Sequence, residues 1–241
     1  MKKLITSGCS FSECISTHID TWPRHLARLM PQYEHISKAM GGQGNGLISR
    51  GIIYEVSEQS KTNSAEDIIV GIVWSGPSRH DFYLENADHP KAFRKNQDGW
   101  IENPTSVVPG IRKWVILNHH WTISHAKEWY KYFHSHTGQY IATLENILRT
   151  QWFLEKHNIK YFMGTFTAEV LPKNLVDDPS TKHLYEQIDF TKFLPIVGVA
   201  EWCEKNTGLP LSTDGFHPST EQHKIFTDKI IMEALHESRR P

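Results

Sequence analysis

The sequence predicts an α/β fold, a three-layer α/β/α sandwich with a mainly parallel sheet, and three observations carry that expectation. Short apolar runs alternate with stretches of helical periodicity down the chain. The strongest run, Asp67-Ile68-Ile69-Val70-Gly71-Ile72-Val73-Trp74, is almost continuously apolar, as a strand buried on both faces must be. The 241 residues, 39% of them hydrophobic, suffice for a single domain, residues 1–241, with a sizeable core.

Taken in order, Leu4-Ile5 marks a first strand that runs into Thr6-Ser7-Gly8-Cys9-Ser10-Phe11-Ser12, a turn of small residues suited to presenting a hydroxyl. Trp22, Leu26, Leu29 and Met30 recur at helical spacing, so a first helix is expected from near Thr21 with Pro23 in its first turn. Tyr33 to Ala39 reads as a short strand, and the glycine-rich turn 41–46 follows it. Leu47, Ile48, Ile52, Ile53 and Val56 share one face and predict a second helix rising out of that turn, its N-terminal amides facing the place of an anion. The run ending at Trp74 is expected to be the central strand.

Residues 76 to about 125 hold Pro77, Pro90, Pro104 and Pro109 without sustained period, and read as a long excursion forming a lid, with a short strand from Ile111 to Leu117. Gln139 to His157 predicts a helix, and Ile159 to Phe166 a fourth strand. Leu171 to Asp189 is polar and poorly periodic. Val199 to Lys205 reads as a short helix stopped by Gly208-Leu209-Pro210. Ser219 or Thr220 caps a last helix whose inner face carries Ile225, Phe226, Ile230, Ile231 and Leu235.

Near the far end, Asp214-Gly215-Phe216-His217-Pro218 sets a carboxylate and an imidazole three residues apart. A serine becomes a good nucleophile when a base takes its proton, and the base works best when an acceptor fixes its tautomer; Ser10, His217 and Asp214 are the groups for those roles. Singly, each stretch is more often a structural turn or a loop leading into a helix. Ser12 is a rival serine in the same turn.

Gly8-Cys9-Ser10-Phe11-Ser12, the turn Gly41-Gly42-Gln43-Gly44-Asn45-Gly46 and Asp214-Gly215-Phe216-His217 resemble, in order and over nearly the whole chain, the blocks of the SGNH (GDSL-type) hydrolase family. The resemblance implies the flavodoxin-like SGNH hydrolase fold, with Ser10 as nucleophile, His217 as base and Asp214 as its partner. It places the oxyanion hole at the N–H of Ser10 and the N–H of Gly42 or Gly44. Two positions depart from the family pattern. Cys9 replaces the aspartate before the serine, and the third block reads Trp74-Ser75-Gly76-Pro77, without the asparagine whose amide is the family's third oxyanion donor. Asn45, Ser75 and Arg79 are the alternatives for that donor; a helix N-cap is the rival role for Asn45 and a solvated surface charge for Arg79. The activity implied is that of a serine ester hydrolase on a small acyl ester, such as an O-acetylated carbohydrate, without a cofactor. The same triad would serve an acyltransferase, and a member that has lost catalysis would be a binding or accessory protein.

The charge balance, 26 Lys+Arg against 27 Asp+Glu, gives no excess that would point to nucleic acid or an anionic membrane as the main partner. Cys9, Cys14 and Cys203 cannot all pair and fit no zinc module, which favours a reducing compartment. Only two apolar residues follow Met1-Lys2-Lys3 before polar ones, too few for a signal-peptide core, and no run is long enough to span a membrane, so the expected location is cytoplasmic. The 15 histidines, His119, His120, His125, His134 and His136 among them, show no ligand spacing, and no metal is expected. The aromatic stretch from 111 to 133 reads as core or interface, with the wall of a carbohydrate pocket as its alternative. Nothing in the sequence specifies an oligomeric state.

Overall fold

A computed structural model describes residues 1–13, 19–83, 114–118 and 124–237. The described residues contain six strands: β1 (Lys2–Ser7), β2 (Tyr33–Ser37), β3 (Ile68–Trp74), β4 (His80–Tyr83), β5 (Trp114–Leu117) and β6 (Lys160–Thr165). Four of them pair in parallel in the order β2-β1-β3-β6. Ile5 of β1 stands opposite Ile36 on one side and Val70 on the other, and Ile72 of β3 stands opposite Met163. All of β3 is buried, as its unbroken apolar run requires.

The helices are α1 (Trp22–Leu29), α2 (Asn45–Gln59), α3 (Ser124–Tyr132), α4 (His136–Lys156), α5 (Pro179–Tyr185), α6 (Val199–Thr207), α7 (Thr220–Phe226) and α8 (Met232–Glu237). The crossover from β1 to β2 runs one way along the sheet, and those from β2 to β3 and from β3 to β6 run the other. Right-handed connections therefore put α1 on one face and α2 and α4 on the opposite one. The packing agrees: α2 lies on β1 and β3 and against α4, whereas α1 meets α7, which meets α6. Leu4, Ile5, Trp22, Ile52, Trp74 and Phe226 are fully buried between these layers. Because the chain leaves β1 and β3 in opposite directions, a crevice opens at their carboxyl ends, where ligands sit in open α/β sheets.

Several expectations need correction. The polar stretch from Leu171 to Asp189 contains α5, started by Pro179 and capped by Asp178, whose side chain accepts the Ser180 N–H. The expected excursion contains β4, paired antiparallel with β5; Ile111 to Lys113 of the expected strand, and the excursion's residues 84–113 and 119–123, lie outside the described residues. The last helix is interrupted by a π turn at Thr227–Ile231. Its wider turn leaves Phe226, Ile231 and Leu235 buried and rotates Ile225 and Ile230 to half-buried positions.

Candidate active site

The turn after β1 is shaped by Gly8. A Cβ there would sit 2.8 Å from the Val73 carbonyl oxygen and collide with the Ser12 hydroxyl, so only glycine lets the chain double back against β3. Cys9, Phe11 and Ser12 are buried, and the Ser12 N–H closes the turn on the Cys9 carbonyl at 2.8 Å. The Ser12 hydroxyl accepts the Trp22 indole N–H at 2.9 Å, which commits the rival serine to the core. Ser10 remains on the outer side of the turn, half-buried.

His217 reaches Ser10 from the loop before α7. Its Nε2 lies 2.7 Å from Ser10 Oγ, and its Nδ1 lies 2.6 Å from Asp214 Oδ2. With the ring proton on Nδ1, directed at the carboxylate, Nε2 is an acceptor for the Ser10 hydroxyl. The Asp214 turn is built around its other oxygen: Oδ1 accepts the Ser212 hydroxyl at 2.6 Å, the Phe216 N–H at 2.8 Å and the His217 N–H at 2.9 Å. Burial pulls this carboxyl upward, but the hydrogen bonds from Ser212, His217 and Phe216 outweigh it and hold Asp214 well below the usual carboxylate range. The imidazole packs on Phe11 with ring centroids 4.9 Å apart, and Phe216 stands edge-on to both rings.

The glycine turn after β2 lies against the serine turn through two buried side chains. Glu13 Oε2 accepts the Gly41 N–H at 3.0 Å, while Gln43 Nε2 donates to the carbonyls of Gly8 and, at 3.1 Å, Lys38. Gly42, at φ +76°, lines the same cavity as Ser10, and the N–H groups of Gly42 and Ser10 have no acceptor among the described residues. Gly44, the alternative to Gly42, is differently engaged: its N–H donates to Asp81 Oδ1 at 3.1 Å, a contact that takes it out of the candidate hole. The anion at the start of α2 is thus Asp81 itself, which also accepts the Leu47 N–H at 2.9 Å. Burial pushes the Asp81 carboxyl up, against the pull of those two N–H groups and of Arg50 and Arg79.

Asn45 does not face the cavity as a donor either. Its amide donates to the Ser75 carbonyl at 3.0 Å and to Thr143 Oγ1 at 3.2 Å, and its Oδ1 accepts the Ser75 N–H at 2.8 Å. One amide contact braces the turn after β3 and the other ties it to α4, so the side-chain amide is spent within the protein, which corrects its place among the oxyanion candidates. Ser75 is fully buried, and its hydroxyl accepts Arg79 Nη1 at 2.7 Å. Arg79 is the candidate that does line the cavity.

That cavity, about 770 Å3, brings Ser10, Gly42, Arg79 and His217 together. Asn118, Thr167, Glu169 and Glu201 share its lining and were not among the residues read from the sequence. Thr167 and Glu169 follow directly on β6, and a loop leaving a strand's carboxyl end is a signal that could have found them. Asn118 follows β5 in the same way, at the end of a strand outside the parallel sheet, whereas Glu201 lies within α6 and carries no such signal. Among the described residues no group of three His, Cys, Asp or Glu side chains could hold a metal; His119 and His120 lie outside them, as does the side chain of His125. No helix among the described residues is long and apolar enough to cross a membrane.

The sequence matches no protein-family model and no curated protein. Among solved structures, the chain is similar to the crystal structure of TesA, with a TM-score of 0.51 and 11% identity over 98% of this chain and 99% of that one. It is also similar to protein YxiM of Bacillus subtilis, with a TM-score of 0.48 and 12% identity over 99% of this chain and 57% of that one. At such identity a likeness concerns the fold alone, and the likeness to TesA supports an α/β/α sandwich with a mainly parallel sheet.

Proposed function

We propose that this protein is a serine ester hydrolase acting on a small acyl ester, with Ser10 as nucleophile, His217 as general base and Asp214 as the group that orients it. The observation that carries this reading is the continuous relay from Asp214 Oδ2 through His217 to Ser10 Oγ, with contacts of 2.6 and 2.7 Å, at the edge of a cavity of about 770 Å3.

In the first half-reaction Ser10 Oγ bonds to the ester carbonyl carbon and its proton passes to His217 Nε2, while the carbonyl π electrons move onto oxygen. The N–H groups of Ser10 and Gly42 meet that oxyanion. Collapse breaks the bond to the alcohol oxygen, which leaves with the His217 proton, and an acyl-Ser10 remains. Water then repeats the sequence: His217 takes its proton, the acid departs, and Ser10 recovers its hydrogen. The half-exposed Phe216 and the mixed polar lining suit a carbohydrate as the alcohol. The cavity also has room for an acceptor alcohol in place of water, which would make the same chemistry an acyl transfer.

The test is a fluorophosphonate probe together with a short-chain aryl ester. Labelling at Ser10 and hydrolysis of the ester, both abolished in Ser10→Ala and His217→Ala while the fold is kept, are the expected results. A folded protein that neither reacts at Ser10 nor turns over the ester has lost catalysis, and the binding or accessory role replaces this reading.

A further inference from the structure

The wall of the Ser10 cavity carries a cation that no carboxylate of the described residues neutralises by contact. Arg79 Nη1 donates to Ser75 Oγ at 2.7 Å, and the guanidinium lies over the Phe166 ring, 5.4 Å from its centroid. Asp81 lies within its field, but both of its oxygens are taken by the N–H groups of Gly44 and Leu47. A guanidinium has five N–H donors, and the Ser75 hydroxyl takes one of them.

Its position is as informative as its charge. Arg79 belongs to the turn that leaves β3, on the side of the crevice facing the Ser10 turn. This is the turn where the SGNH pattern has a neutral side-chain amide and this chain has Ser75 instead. Both smaller candidates point into the protein: Asn45 braces the Ser75 backbone, and the Ser75 hydroxyl anchors Arg79. The Asn45 amide is spent on the scaffold, and of the three candidates Arg79 is the one that lines the cavity.

We propose that Arg79 supplies the side-chain contact to the oxyanion, so that the charge formed on the substrate carbonyl meets a cation together with the N–H groups of Ser10 and Gly42. This rests on the ester-hydrolase reading above. The rival use of the same cation, holding a permanently anionic substrate, fits the cavity less well. Glu169 and Glu201 line it too, and a standing negative charge would meet two carboxylates as well as one guanidinium. A charge that exists only while Ser10 is bonded to the carbonyl carbon is confined to the Ser10 side.

The experiment compares wild type, Arg79→Met and Arg79→Lys on two aryl esters of similar size, one neutral and one carrying a free carboxylate on its acyl group, with thermal midpoints and fluorophosphonate labelling rates measured alongside. Arg79→Met is expected to lower kcat on both esters by about 10²–10³, as loss of one oxyanion donor does, and to slow labelling in proportion. KM should change by less than about threefold, and Arg79→Lys should recover part of kcat, because the contact is made mainly in the transition state. A loss confined to the anionic ester and expressed in KM would overturn the proposal in favour of substrate anchoring. A loss matched by an equal loss of folded protein would make Arg79 a structural residue and overturn it as well. Equal labelling of wild type and Arg79→Met would remove Arg79 alone and leave Ser10 in place. An unreactive wild type would remove the ester-hydrolase reading, and this proposal with it.

Discussion

The carboxylate of Asp81 closes the N-terminus of α2 from a strand outside the main sheet, accepting the Gly44 N–H at 3.1 Å through Oδ1 and the Leu47 N–H at 2.9 Å through Oδ2. The first amides of a helix have no partner within it, and Gly44 at the N-cap has no side chain to offer. Asp81 therefore does for α2 what a local Ser or Asp usually does, and fastens β4 to the glycine turn beside Ser10.

Asp81→Ala should accordingly lower stability by about 1–2 kcal/mol, the ordinary cost of a lost N-cap. Urea titration measures it. An unchanged midpoint would mean that water caps α2 equally well.

Asn45 separates a scaffold role from a catalytic one. Asn45→Ala strands the Ser75 N–H and C=O in a buried turn, and unfolding should become easier by about 2–3 kcal/mol. Turnover per folded molecule should fall far less than in Arg79→Met. A variant as stable as wild type but slow in turnover would return Asn45 to the oxyanion hole.

How much of this could be read from the chain depends on the range of the interaction involved. β3 announces itself because every side chain of Ile68–Trp74 is buried, so the run is apolar without alternation. The separation of 207 positions between Ser10 and His217 did not hide their meeting, because each belongs to a recognisable local motif and the order of those motifs joins them. β4, with the sequence His-Asp-Phe-Tyr, has no alternation to reveal it, and the 37 residues from Gly44 to Asp81 carry no local sign that one caps the other. The same holds for Asn45: a glycine-rich turn explains an asparagine in several ways, and only the Ser75 backbone opposite it decides which. α5 leaves little periodic trace because its buried contribution is one threonine, Thr181, although Asp178-Pro179 is a legible helix start.

Asp214 should matter less than His217 or Ser10, and not independently of them. Its side chain is 46% exposed, and three further donors hold Oδ1 in place. Asp214→Asn is expected to reduce kcat by about 10²–10⁴, the range set by loss of the correct tautomer. The double variant His217→Ala, Asp214→Asn should be no slower than His217→Ala, since residues acting as a unit are not additive. A double variant clearly slower than His217→Ala would give Asp214 a separate task.

Acid should destabilise the protein sooner than its carboxylates alone would dictate, because buried histidines are held neutral. His223, on α7, is fully buried with neither ring nitrogen partnered among the described residues; burial, reinforced by His25 and His217, pushes it down from its ordinary 6.5 to about 3. His35 is pushed down to about 4 by burial and Arg24, and His80 to about 4 by burial and His134. In each case the folded value lies below the unfolded one, so the unfolded chain holds the proton more tightly. Their contribution is complete above about pH 6.5 and is lost as pH falls toward the folded values, at up to about 1.4 kcal/mol per pH unit for each histidine. Urea midpoints should therefore fall between about pH 7.5 and pH 5, and His223→Met should flatten that slope by roughly one proton. Near neutral pH the variant should be about as stable as wild type, since it exchanges an unpartnered buried ring for an apolar side chain that adapts to its surroundings. A slope unchanged by His223→Met would mean that the fold accepts a proton at His223 without opening, and that the acid sensitivity arises at other groups, His35 and His80 among them.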